Sequence, residues 1–209
     1  MSIGRSVVAA AVGYAAGTIP GAQLVAKGVD PTRAGSGNPG AANVASLLGP
    51  RAGAAVFGID MSKALIAGRL GASLAGPVGA NVASAATVLG HCFPATRGFR
   101  GGKGVAASFG QMLATFPAYL PVDLALGAVA AKSDFWKDRP VATIGATCGL
   151  WTGLGALSAR QAWPNLWGPT PTPALPLAAA VSSAAIVWRF AEEARRAPDT
   201  PTKPGTSAE

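Results

Sequence analysis

Two short glycine-rich stretches contain most of the residues able to hold an anion. In Gly35-Ser36-Gly37-Asn38-Pro39-Gly40-Ala41-Ala42-Asn43, three glycines and a proline fall within a single loop. That density rules out a regular helix and brings backbone N–H groups within reach of a ligand. Ser36, Asn38 and Asn43 add neutral donors. The alternative is a plain turn leading into a helix capped by Asn43. The second stretch, Gly90-His91-Cys92-Phe93-Pro94, passes Arg97 and reaches Gly98-Phe99-Arg100-Gly101-Gly102-Lys103-Gly104-Val105. Glycines around a lysine just before a helix suit phosphate, because N–H groups, a helix dipole and a fixed cation converge. A basic stop between two spans explains Arg97 and Arg100 equally well, but not four glycines.

Two familiar nucleotide motifs do not apply. Gly104 stands where a Walker A loop needs Ser or Thr for magnesium. Gly102-x-Gly104-x-x-Ala107 mimics a dinucleotide fingerprint without the βαβ unit that would give it meaning.

Asp60 and Lys63 lie three residues apart on one helical face. Charges inside an apolar span are costly and turn toward the protein interior. They form either a structural bridge or a source of positive potential beneath the loops. His91, the only histidine, is suited to general-base work and equally to holding a loop in shape. Cys92 and Cys148 lack CxxC spacing and a companion ligand, so they read as inert core thiols, and no metal site is expected. Trp188-Arg189-Phe190-Ala191-Glu192-Glu193-Ala194-Arg195-Arg196 reads as a charged stop after a final span.

The elements that must position these residues are membrane helices. Half of the 209 residues are hydrophobic and 12% are charged, against about 25% charged in soluble domains. The mean hydropathy is +0.36. The 28 glycines suit helices that pack closely through small side chains. A net charge of +8 raises nucleic acid as a partner. The basic residues, however, occupy gaps between apolar stretches and form no amphipathic face, so nucleic acid is not expected.

Apolar stretches of about 20 residues mark spans. They run over 7–25, 52–70, 77–92, 141–157 and 175–190, with one long tract over 105–131. Pro117 and Pro121, followed by Asp123, favour a turn at the centre of that tract. Split there, the chain has about seven spans, with the N-terminus outside and the C-terminus cytoplasmic. Thirteen cations then fall inside, three (Arg5, Arg69 and Arg160) fall outside, and Lys63 lies within a span. Left whole, the tract gives seven inside and nine outside. The positive-inside rule selects the split. Arg5 before a short apolar stretch also fits a signal peptide, but no other feature asks for one. The expected organisation is one all-α polytopic membrane domain over 1–196, with a disordered cytoplasmic tail over 197–209.

Ser-Gly-Asn-Pro-Gly-Ala-Ala-Asn-Val over 36–44, Asp-Met-Ser-Lys over 60–63 and Gly-His-Cys-Phe-Pro…Gly-Gly-Lys-Gly-Val-Ala over 90–106 resemble the bacterial acyl-phosphate:glycerol-3-phosphate acyltransferase family (PlsY). The matches keep that family's order and spacing across roughly 15–110. The resemblance implies a seven-span enzyme of the bacterial cytoplasmic membrane with its active face cytoplasmic. It would transfer a fatty acyl group from acyl phosphate to the sn-1 hydroxyl of glycerol 3-phosphate, giving lysophosphatidic acid, with no cofactor or metal. The chain departs from the family pattern at Ala42 (usually Thr), Ser46 (usually Arg) and Ala64 (usually Gly). After Arg189 the family's His and Asn are absent.

The expected catalytic residues are Ser36, Lys103 and His91. Gly37, Asn38, Gly40, Asn43, Lys63, Arg100, Gly101, Gly102 and Gly104 are the expected phosphate- and substrate-binding set. In this reading Lys103 and the N–H groups of Gly101, Gly102 and Gly104 hold one phosphate. Ser36, Asn38 and Asn43 orient the acyl phosphate or the glycerol hydroxyl, and the departing phosphate or His91 takes the proton. Membrane lipid is the surrounding partner. A catalytically weakened or altered-substrate paralogue that binds a phosphorylated lipid precursor is the alternative, and a small transporter or scaffold the third reading. The last would need polar groups reaching the outer face, and none are evident.

Overall fold

The computed structural model describes residues 3–196. Among the described residues every regular element is helical. They are α1 (Ile3–Gly17), α2 (Gly21–Val25), α3 (Ala41–Leu48), α4 (Pro50–Cys92), α5 (Val105–Thr115), α6 (Leu120–Lys132), α7 (Pro140–Gln161) and α8 (Ala174–Arg196), with single 3-10 turns at Ala95–Arg97 and Pro117–Tyr119. Three helices are long and apolar enough to cross a membrane, and four if the bent α5–α6 pair is counted as one span. The expected tail over 197–209 lies outside the described residues.

α4 is two limbs. Ala75 and Gly76 leave helical geometry, Gly76 at φ +59°, and Pro77 opens the second limb. A left-handed glycine followed by proline stops one helix and starts another. The limbs fold back antiparallel. A Cβ on Gly71 would strike the Gly79 carbonyl, and one on Gly68 would strike Ser84. α1 lies along the second limb, running in the same direction: Gly13 meets the backbone of Ala83, and Gly17 that of Thr87. α5 lies along the first limb, Gly110 against Met61 and Ala64. Small residues at the crossings let backbones approach closely where lipid gives no hydrophobic drive between helices.

The expected first span is interrupted. α1 ends at Gly17, and Pro20 separates it from the short α2. Proline cannot continue the ladder, so 18–25 makes a turn and a single helical step. The long tract splits as its prolines require, with α5 and α6 bent by 118°. Pro121 is tolerated because it lies in the first turn of α6.

α8 returns antiparallel to α5, with the Ser182 hydroxyl donating to Gln111 Oε1 at 2.6 Å and Ile186 beside Gly104. Its C-terminal turn therefore reaches the Lys103 turn. Met112, Phe116, Tyr119, Trp151, Leu175 and Ala179 form the core where α5, α7 and α8 meet. At the other end, Asn165 donates to the Thr115 carbonyl at 2.9 Å, and the Trp167 indole donates to the Leu113 carbonyl at 3.1 Å. The loop between α7 and α8 thus closes the end away from Lys103.

Candidate active site

The Ser36 loop is organised by a buried amide. Asn43, in the first turn of α3, accepts the Ser36 N–H on Oδ1 at 2.9 Å. Its Nδ2 donates to the Pro31 carbonyl at 2.9 Å and the Ala34 carbonyl at 3.0 Å. Three bonds from one amide fix a loop that Gly35 and Gly37, at φ +60° and +71°, allow to turn sharply. The expectation that Asn43 caps the helix or touches substrate is corrected. Gly40 occupies the N-cap, and Asn43 is buried with its polar atoms committed to the loop. At the loop's start the Thr32 hydroxyl and N–H both donate to Asp30, which holds that carboxyl below the usual aspartate range. Ser36 is left exposed, its Oγ only weakly engaged by the Asn38 N–H at 3.4 Å.

The Lys103 turn is built from the end of α4. Tyr14 donates its hydroxyl to the Phe93 carbonyl at 2.7 Å and accepts the Ala95 N–H at 3.1 Å. The Gly101 and Gly102 N–H groups donate to the Cys92 and His91 carbonyls, both at 3.1 Å. These two amides therefore shape the turn and are not free to hold an anion, which corrects the expected cradle. Both glycines are needed for close approach: a Cβ on Gly101 would overlap the His91 carbonyl, and one on Gly102 the His91 ring. Gly104, left-handed at φ +85°, is the N-cap of α5.

Arg189 locks this turn from outside. Its guanidinium donates to the Gly101 carbonyl and, at 3.3 Å, to the Gly102 carbonyl, and it pairs with Glu192. Glu192 also pairs with Arg196 at 2.5 Å. The Lys103 ammonium pairs with Glu193 at 2.6 Å and lies 4.6 Å from the Phe190 ring centre.

The two glycine-rich turns meet. Ser36, Gly37, Asn38, Lys103, Arg189, Glu192, Glu193 and Arg196 line one cleft of about 340 Å³. Two neutral donors and three cations face it together, a suitable lining for an anionic substrate. Arg100 is exposed on the turn outside this lining, and Gly40 sits behind it as the helix cap.

Lys63 and His91 lie below the cleft in a buried cluster of their own. The Lys63 ammonium touches Asp60 Oδ1 at 2.9 Å, the Gly17 and Ile19 carbonyls at 3.0 and 3.1 Å, and His91 Nδ1 at 3.0 Å. The ammonium thereby joins α1 to both limbs of α4, and the structural-bridge reading of Asp60 and Lys63 fits this geometry. His91 is 5% exposed and does not line the cleft. With Lys63 donating to Nδ1, its ring supports the Gly102 turn. Among the described residues no group of three or more His, Cys, Asp or Glu side chains draws together as a metal site.

The C-terminal turn is what sequence reasoning missed. In sequence, Arg189, Glu192, Glu193 and Arg196 look like a charged stop after the last span. Their spacing of three, four and seven residues places all four on one helical face, a signal of shared direction that a stop sequence does not need.

Known proteins resemble this chain in sequence and fold. The family profile described as Glycerol-3-phosphate acyltransferase matches residues 7–199. A glycerol-3-phosphate acyltransferase of Thermoanaerobacter sp. (strain X514) is 40% identical over 125 residues, covering 58% of this chain and 63% of that protein's length. Two crystal structures of PlsY (YgiH), an integral membrane glycerol 3-phosphate acyltransferase, are 27% identical and cover 91% of this chain and 90% of theirs. The glycerol 3-phosphate form superposes with a TM-score of 0.69 and the lysophosphatidic acid form with 0.70. The profile match runs through nearly all the described residues, the α8 turn where the motifs diverge included. This chain is therefore a multi-pass membrane protein and belongs to the glycerol-3-phosphate acyltransferase family.

Proposed function

We propose that the chain transfers a fatty acyl group from acyl phosphate to the sn-1 hydroxyl of glycerol 3-phosphate, giving lysophosphatidic acid. The observation that carries this reading is the meeting of the Ser36 and Lys103 turns in one cleft with Arg189 and Arg196. The PlsY structures in glycerol 3-phosphate and lysophosphatidic acid forms support the same acceptor and product.

Acyl phosphate is already activated, so positioning and electrostatics supply most of the catalysis. The sn-1 oxygen attacks the acyl carbonyl carbon, whose electron pair moves onto oxygen. Collapse of that oxyanion breaks the carbon–oxygen bond to phosphate, and the released phosphate carries away the hydroxyl proton. Lys103 stabilises the phosphate and the developing charge, while Ser36 and Asn38 orient the reacting groups. Gly37 keeps the backbone low enough for approach. Asn43, Gly40, Gly101, Gly102 and Gly104 hold the two turns, and Lys63 and His91 brace them from below. Arg100 adds positive potential at the rim.

In this reading residues 1–196 form one domain with seven crossings: α1, each limb of α4, α5, α6, α7 and α8. The cleft opens on the cytoplasmic face of the bacterial plasma membrane. What supports the orientation is charge. The cleft end carries Arg97, Arg100, Lys103 and Arg189, while Arg69 reaches toward Trp167 at the opposite end, as the positive-inside rule favours.

The test is to supply the purified protein with palmitoyl phosphate and glycerol 3-phosphate and to assay lysophosphatidic acid, with palmitoyl-CoA in a parallel reaction. Product from the acyl phosphate alone is expected. Product only from the thioester would refute the donor, and no product from either would refute the activity. A second reading, an altered-acceptor or weakened paralogue, is favoured by Glu192 and Glu193 lying against the cleft's cations. The weakened form predicts binding of glycerol 3-phosphate without turnover, and the altered-acceptor form predicts binding of a different phosphorylated lipid precursor.

A further inference from the structure

Among the described residues three cations and two carboxylates line the cleft, a net charge of one positive where a phosphate is to be received. The two carboxylates are held differently. Glu192 is clamped between Arg189 and Arg196, one turn before and one turn after it on α8. Among the described residues Glu193 has one cationic partner, Lys103, and its side chain is 38% exposed, so it can swing into water. Lys103 has a reason to stay in place: its ammonium lies over the Phe190 ring, an attraction that does not depend on Glu193.

We propose that Glu193 is a resident anion that occupies the Lys103 phosphate subsite and is exchanged for the incoming phosphate, making Glu193 a determinant of substrate affinity. This rests on the reading of the cleft as a phosphate site. A dianionic phosphate ester offers Lys103 more charge and more acceptor oxygens than the carboxylate it displaces. Every binding event is then an exchange, and apparent affinity is lowered by the cost of breaking the resident pair. Removing the charge of Glu193 while keeping its shape tightens phosphate binding, whereas ordinary loss of a site residue weakens it.

The experiment titrates the purified full chain in detergent with inorganic phosphate by calorimetry, comparing wild type, Glu193→Gln, Lys103→Met and the double variant. Glu193→Gln is expected to tighten phosphate binding about 2- to 5-fold, the range of a partly exposed ion pair. In the Lys103→Met background the same substitution is expected to add nothing. The KM for glycerol 3-phosphate should fall by a similar factor. Unchanged or weaker phosphate binding by Glu193→Gln overturns the proposal. So does equal tightening with and without Lys103, since that would be a general field effect. Tighter phosphate binding without lysophosphatidic acid formation would sink the transferase reading and leave the exchange standing. Product formation with a raised KM in Glu193→Gln would do the reverse.

Discussion

Asn43 accepts the Ser36 N–H at 2.9 Å while donating to two carbonyls of the same loop. One buried amide thus sets where Ser36 stands in the cleft. Asn43→Asp keeps the acceptor and loses both donors, and Asn43→Ala loses all three bonds. Each unsatisfied buried partner costs about 1–3 kcal/mol. Asn43→Ala is expected to lower turnover at least as far as Ser36→Ala does, with faster proteolysis of the 30–40 loop. Wild-type turnover in Asn43→Ala would show that the loop does not position Ser36.

Lys103→Ala should cut turnover by about 10²-fold, the usual loss when a preorganised charge stabiliser is removed. The fold should persist, because the side chain is partly exposed and the turn is held by Arg189. Steady-state kinetics with a thermal-unfolding control make the measurement. Unaltered kcat removes Lys103 from the mechanism.

Arg189→Lys preserves charge but cannot span the Gly101 and Gly102 carbonyls and Glu192 together, because an ammonium lacks the planar fork. Turnover should drop about 10-fold or more, as displacement of a catalytic group by an ångström does. Hydrogen exchange at the 98–104 turn should rise in parallel. A kinetically silent Arg189→Lys would make the guanidinium dispensable.

Lys63→Met leaves Asp60 buried without its cation. Breaking a buried pair from one side costs about 3–5 kcal/mol, so the midpoint of thermal unfolding should fall sharply. Lys63→Met with Asp60→Asn should recover part of the loss. His91→Gln should reduce stability more than turnover per folded molecule; the opposite ranking would make His91 the base.

Gly79→Ala is expected to disrupt the α4 hairpin, since the added methyl would meet the Gly71 backbone, which cannot move aside cheaply. Overpacking of this kind costs about 1–3 kcal/mol or more. Gly149→Ala, with open space at its Cβ, serves as the control and should be neutral or slightly stabilising. Equal stability of the two variants would contradict the limb packing.

The local features were legible in the chain because local rules create them. Pro117 and Pro121 announced a break, Ala75-Gly76-Pro77 falls between two apolar runs, and the glycines around Lys103 marked a turn between helices. Pairings across more than eighty residues were decided only by the tertiary structure. Arg189 meets Gly101 and Lys103 meets Glu193 because α8 runs back along α5 in one register, set by side chains such as Ser182 and Gln111. A charged helix end reads the same whether it stops a span in water or closes a cleft. Likewise, the sequence displays the N–H groups of Gly101 and Gly102 as available, and only the fold determines that the His91 and Cys92 carbonyls have already taken them. Hydrogen-bond capacity is a property of residues, but its allocation depends on which partners the packing brings within 3 Å.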